Sequence, residues 1–200
     1  MKVITLTIAA IVALSGLAYF LTRGDTPDAP YAVGDTPTIE QVSDMLRGVT
    51  MQVPVGDTKT DIIIDSYASH DTVVFGGVSE EGEDTVTVFI PEFTDALQKG
   101  AWGIVNDNYV LIPTYINYGG TGQFFMIALF SYNAETGTLT HRDLHFVNDR
   151  IAYDGMIQSS DAHVTLYYRT HAEGEAMTDE PTLEATRTLE ITGNTFSIID

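Results

Sequence analysis

Two hundred residues suit one domain with a substantial core, and a 44% hydrophobic share is ordinary for a globular chain. The absence of cysteine excludes a disulfide framework, a thiolate zinc site, a cysteine nucleophile and a lipidated cysteine. Twenty-eight acidic residues against nine basic give a net charge of −19, which repels nucleic acid and anionic lipid headgroups and favours cations, basic partners or a salty medium.

The N-terminus, MKVITLTIAAIVALSGLAYFLTRGD, has a cationic start and then an uncharged, mostly apolar run from Val3 to Thr22. About 20 such residues in a helix cover a hydrocarbon core of roughly 30 Å. Lys2 before the run places the N-terminus in the cytoplasm and the remainder outside. A retained anchor over residues 1–23 is one reading. A signal peptide cleaved after Ala18, behind the small residues Gly16 and Ala18, is the other. Residues 24–37, rich in Pro, Gly and Asp, read as a flexible tether. Removing Lys2 and Arg23 leaves seven basic against 28 acidic residues beyond the anchor, a net of −21.

The domain proper spans residues 38–200. Its first element is a helix in TPTIEQVSDMLRG, where Ile39, Val42, Met45 and Leu46 share one face. Thr36 or Thr38 caps it and Gly48 ends it. A second short helix is expected in EFTDALQKG, residues 92–100. The segments VTMQVPV, TDIIIDSYA, DTVVFGGV and EDTVTVFIPE are short, β-branched and bounded by turn residues, so they read as strands. The acidic stretch Glu80 to Asp84 between two of them reads as a hairpin loop.

VLIPTYINYGGTGQFFMIALFSY, from Val110 to Tyr132, is apolar around a glycine cluster. A phosphate loop needs GxxxxGK[ST], and no lysine lies between Lys99 and the C-terminus. A membrane span needs an unbroken apolar run, and Asn117 to Gly122 interrupts it. The remaining reading is a long hairpin, with glycines 119, 120 and 122 supplying positive φ. Arms apolar on both faces mark central strands covered on each side. Further strands follow in TLTHRDLHFV, RIAYDGMIQ, HVTLYYRTH, LEATRTLEI and TFSIID. Turns fall at Ala134 to Gly137, at Ser159 to Ala162 and at Gly193–Asn194, and Asp154–Gly155 reads as a bulge. The sum is a mostly β (α+β) antiparallel domain with one or two short helices, preceded by a single transmembrane helix.

NYGGTGQFFMIALF, HFVNDRIAYDGMI and THAEGEAMTDEPTLEATRTLEI, in that order and spacing, resemble a group of uncharacterised exported bacterial proteins akin to the LppP/LprE-type lipoproteins. The matching positions are Gly119 to Phe125, Asn148 to Ile151, and Gly174 to Pro181 with Thr188. The resemblance covers roughly Gly103 to Ile191. It implies an extracytoplasmic β-rich domain and brings no activity with it. Relatives carry an acidic loop suited to Ca²⁺ before the hairpin; Asn106, Asp107 and Asn108 are too few and too poorly spaced for one here.

The sharpest chemical constellation is HRDLH. On a regular strand, His141, Asp143 and His145 project to one face about 7 Å apart, a candidate ligand set for Zn²⁺ or another divalent ion. A solvated strand face with ordinary alternation produces the same triplet. His163 and His171 complete such a site only if their strand is the neighbour, and His70 sits in a turn. Asp149–Arg150 reads as an ion pair fixing a turn. Tyr115, Tyr118, Tyr132, Tyr167 and Tyr168 are candidates for a sugar-stacking platform, although strand propensity accounts for them. No nucleophile elbow and no HExxH occur, and no cofactor is called for. The expectation is a membrane-anchored or secreted binding module, non-enzymatic, whose partner is an envelope protein or polysaccharide. The alternative is an anchored hydrolase or metal-dependent enzyme using the His141/Asp143/His145 face.

Overall fold

The computed structural model describes Pro37 and residues 39–69, 72–81, 84–90, 103–105, 108–160 and 162–199. The apolar segment 3–22, the tether before Pro37, the helix expected at 92–100, His70, Asn106 and Asp107 lie outside the described residues. Among the described residues no helix is long and apolar enough to cross a membrane.

Among the described residues one helix, α1 (Ile39–Leu46), precedes thirteen strands, and every strand pairing is antiparallel. Gly48 ends α1 at φ +78°, a conformation glycine adopts without a Cβ clash. Val42 and Leu46 are buried from its apolar face, as the spacing predicts.

The strands form three sheets. β1 (Thr50–Val55) and β2 (Thr58–Ile63) make a two-stranded ribbon. The second sheet runs β3 (Asp65–Ser69), β4 (Thr72–Glu81), β5 (Asp84–Ile90), β7 (Tyr109–Asn117), β8 (Phe124–Asn133), β9 (Thr138–Asp149), with β6 (Gly103–Val105) also paired to β7. The third runs β10 (Ala152–Gln158), β11 (His163–Thr170), β12 (Leu183–Thr192), β13 (Thr195–Ile198). TDIIIDSYA is thus not one strand. It breaks at Ile64, with β2 in the ribbon and β3 in the seven-stranded sheet. Gly77 of β4 admits this crossing, because a Cβ there would overlap the carbonyl oxygen of Ile63.

The hairpin expected at Val110 to Tyr132 is present, with Ile116 opposite Phe124. Its two faces feed two cores. Val110, Ile112, Ile116, Met126, Ala128 and Phe130 pack with Val42 and Leu46 of α1 and with Met51, Val53 and Ile62 of the ribbon. Leu111, Phe125, Ile127 and Leu129 pack with Met156, Val164, Leu166 and Leu189 of the four-stranded sheet. Strands wrapped on both sides need apolar residues at successive positions, which is why the sequence shows no alternation here. Each large side chain so buried stabilises the fold by roughly 1.5–3 kcal/mol.

The turns expected at Ala134 to Gly137 and at Gly193–Asn194 are in place, and the one at Ser159 to Ala162 includes Asp161, which lies outside the described residues. Thr192 pairs with Thr195 across Gly193–Asn194, with Gly193 at φ +60°. The β10–β11 register slips between Tyr153 and Gly155, so Asp154 is the extra residue of a bulge.

Candidate functional site

The HRDLH motif lies on β9, at one end of the strand order in the seven-stranded sheet. The strand is not regular there. Leu129 of β8 pairs with Asp143, but the next residue, Phe130, pairs with His141, so Arg142 is an extra residue. Such a bulge reverses the side-chain alternation. His141 consequently turns to the first core, its ring edge-on to Phe130 at 5.4 Å. Asp143 and His145 turn to the second layer, where His145 meets the Phe196 ring at 6.0 Å. The one-face arrangement expected from period-2 spacing is therefore corrected: the structure keeps Asp143 with His145 and sends His141 to the other side. Arg142 reaches back along β9's partner strand, donating from Nε to Ser131 Oγ at 2.8 Å.

Each displaced side chain binds a different sheet. His141 Nδ1 accepts from the backbone N–H of Gln52 on β1 at 3.3 Å. Asp143 Oδ2 accepts from the backbone N–H of Phe196 on β13 at 2.9 Å, and its Oδ1 accepts from Leu144 N at 2.9 Å. The bulged motif is a clip that holds the ribbon on one side and the four-stranded sheet on the other.

This geometry limits the chemistry of His141. Burial pushes its imidazole down to about 4, against the opposing pull of Asp143, so the ring is neutral near pH 7. With the Nδ1 lone pair engaged, the ring proton sits on Nε2, which is buried and makes no hydrogen bond. Neither nitrogen offers a free lone pair in this arrangement. Among the described residues, no three His, Asp or Glu side chains are placed to hold a metal ion. His163 and His171 belong to β11 and the segment after it. β11 pairs with β10 and β12, not with β9. His163 sits 3.5 Å from Glu190, and His171 sits 3.6 Å from Glu175. The Glu175 carboxyl is held below its ordinary range, chiefly by the hydrogen bond it accepts from Ala172 N.

A groove of about 500 Å³ opens between the end of α1 and the start of β9. Asp44, Arg47 and Thr50 line one wall and Thr138, Thr140 and His141 the other. Asp44 and Arg47 pair with each other at 3.6 Å, and both are exposed.

The glycine turn and the Asn148–Arg150 step converge at one corner. Arg150 N donates to Gln123 O at 2.9 Å, and Phe124 pairs with Asp149. The expected Asp149–Arg150 ion pair is present at 3.7 Å, with Arg150 at φ +47°. Asn148 also donates to Thr170 Oγ1 at 3.3 Å, tying the end of β11 to this corner. The organiser of the turn is Asn117. Its Oδ1 accepts from Gly119 N at 2.8 Å and its Nδ2 donates to the carbonyls of Gly120 and Gly122, each at 2.8 Å. Sequence reading passed over this residue, though an Asn two positions before a glycine pair is a recognisable side-chain-capped turn.

The five tyrosines do not form one platform. Tyr132 and Tyr168 are buried, Tyr115 packs on Phe125 at 5.1 Å and Tyr118 on Phe124 at 5.5 Å. Burial pushes the Tyr115 phenol up to about 12. Tyr167 alone of the five is well exposed. Beside it, Arg169 forks onto Asp154, with both nitrogen–oxygen distances 3.3 Å, and reaches Glu180 at 2.8 Å.

Comparison of the chain with protein-family models, with curated proteins and with solved structures finds no match.

Proposed function

We propose that the protein is a non-enzymatic binding module, tethered to the cell membrane by residues 3–22 and displayed outside the cytoplasm. The observation that carries the module reading is the fate of HRDLH. Its bulge spends His141 and Asp143 on backbone N–H groups of two other sheets, a structural use of the residues with the best claim to chemistry. The tether reading rests on the apolar run behind Lys2 and on the Pro-, Gly- and Asp-rich residues that follow it. The resemblance to LppP/LprE-type exported proteins points the same way. A secreted form, cleaved after Ala18, performs the same role without the anchor.

The test uses the full chain expressed in cells. External protease, added after any outer barrier is permeabilised, digests the domain while the inner membrane is intact. Protection until that membrane is lysed overturns the display outside the cytoplasm. A Zn²⁺ titration of the purified chain addresses the enzymatic alternative. Saturable zinc binding that disappears in both His141→Ala and His145→Ala returns the protein to the metal-dependent class.

A further inference from the structure

The outer face of the four-stranded sheet holds a recognition surface of its own. Leu166 and Tyr168 point into the second core, so the alternate residues of β11 point outward. They pair with β12 in successive rungs: Arg169 with Glu184, Tyr167 with Thr186, Thr165 with Thr188, and His163 with Glu190. The rungs lie roughly 6.6 Å apart along the strands. Thr165 and Thr188 hydrogen bond at 3.2 Å. The result is a row of hydroxyls, charged groups and the His163 imidazole, with one phenol ring, that of Tyr167, in it.

Tyr167 is 40% exposed because its strand neighbours are small. On β12 it faces Thr186, and on β10 it faces Gly155, which has no side chain and takes φ +142° at the bulge. A cleft of about 520 Å³ lies against this ring, walled by Asp154, Glu184 and Thr186. Small-molecule sites occupy about 300–1,000 Å³.

We propose that this cleft binds a neutral polysaccharide, with one sugar ring stacked on Tyr167 and the chain running along the rungs. The C–H face of a pyranose is apolar and flat and matches one uncovered ring. Its hydroxyls are donors and acceptors at once. The Arg169–Asp154 fork holds acceptor and donor groups side by side in fixed geometry, and Glu184, Thr186, Thr165 and Thr188 extend the supply along the row. Asp154, Glu180 and Glu184 against Arg169 leave about two negative charges, so phosphorylated or uronic sugars are repelled. A cationic ligand finds Asp154 and Glu180 already engaged by Arg169. The proposal rests on the module reading and names its ligand class.

The experiment is affinity electrophoresis of the full chain in a polyoxyethylene detergent, which carries no sugar. Native gels contain a soluble β-glucan, a mannan or a galactan, with polygalacturonate and chitosan as charged controls. The expected result is retardation in at least one neutral gel. Tyr167→Ala weakens it about tenfold or more, the scale of one lost aromatic stack, whereas Tyr167→Phe retains it. Thr186→Gln, which fills the cleft from an exposed position, also weakens it, and this holds the test open if Tyr167→Ala does not fold. No retardation in any neutral gel overturns the proposal, as does retardation that both Tyr167→Ala and Thr186→Gln leave unchanged. Retardation by chitosan alone, lost in Glu184→Gln, assigns the cleft to a cation instead. Failure here with the domain still digested by external protease removes the sugar and leaves the tethered module standing.

Discussion

His141 Nδ1 accepts a hydrogen bond from Gln52 N at 3.3 Å, across 89 residues of sequence. That bond requires a neutral ring, which makes it sensitive to acid. The folded-state value near 4 lies below the ordinary 6.5, because burial penalises the charged form and Lys59 adds to the effect, while Asp143 opposes both. Between those values the unfolded chain takes up a proton that the folded chain refuses. The contribution of His141 is therefore fully present above about pH 6.5 and is lost progressively as pH falls to about 4, below which it changes no further. The full loss is on the order of 3 kcal/mol. Protonation of the many carboxylates shifts stability over the same range, so the measurement is a comparison. His141→Gln keeps an acceptor and cannot titrate. Denaturant melts of wild type and variant at pH 7 and pH 4 show wild type losing more. Parallel losses refute the buried neutral imidazole.

Asp143 holds the opposite arm of the clip. Asp143→Ala leaves the amides of Phe196 and Leu144 without their acceptor, at a cost of about 1–3 kcal/mol. Asp143→Asn retains one acceptor oxygen and costs less. Hydrogen exchange supplies the residue-level check: the Phe196 amide exchanges faster in Asp143→Ala, and the Gln52 amide does not. Equal acceleration of both amides shows that the two arms are one cooperative unit and not independent ties.

Local chemistry made most of the fold legible. The apolar hairpin arms, the Gly193–Asn194 turn and the bulge at Asp154–Gly155 all follow from rules that operate within a few residues. What stayed hidden was the bulge at Arg142. Nothing in HRDLH distinguishes a regular strand from a bulged one, because the extra residue is fixed by the pairing of β8 with β9. One inserted residue reverses the side-chain direction of Asp143 to Phe146, up to the second register shift at Val147. The one-face arrangement of His141, Asp143 and His145 as metal ligands was misdrawn for that reason. The break at Ile64 was hidden likewise, since it depends on Gly77 lying under the crossing chain.

Charge gives a prediction that no single contact carries. Residues 24–200 carry seven basic against 28 acidic residues, a net charge of −21 that means self-repulsion in the folded state. The Debye length falls from roughly 10 Å at 0.1 M salt to about 3 Å at 1 M. The full chain in nonionic detergent is expected to melt at a higher temperature in molar NaCl than in dilute buffer. A melting temperature that is flat or falling across that range shows that charge repulsion does not govern the stability of the folded state.

The glycines separate two kinds of constraint. Gly119 has φ +79°, and its amide is bound by Asn117, so the position demands a left-handed backbone although its space is open to ordinary contact. Gly120 sits next to it with a φ outside that region and nothing within 4 Å of an added Cβ. Gly77 is the reverse of Gly119: its backbone is unstrained, but a methyl there meets the Ile63 carbonyl and the Ile62 side chain. Gly119→Val is expected to cost about 1–3 kcal/mol, because a β-branched residue relaxes poorly into the left-handed region. Gly120→Val is expected to stay within about 0.5 kcal/mol, as exposed substitutions without such a feature do. Gly77→Ala, a smaller change, is expected to cost about 1–3 kcal/mol by forcing β2 off β4. Denaturant melts of the three variants rank them. Equal losses at Gly119 and Gly120 mean that the turn tolerates or rejects side chains for some reason other than φ. A neutral Gly77→Ala means that the ribbon does not cross β4 at that point, and with it goes the packing of the first core.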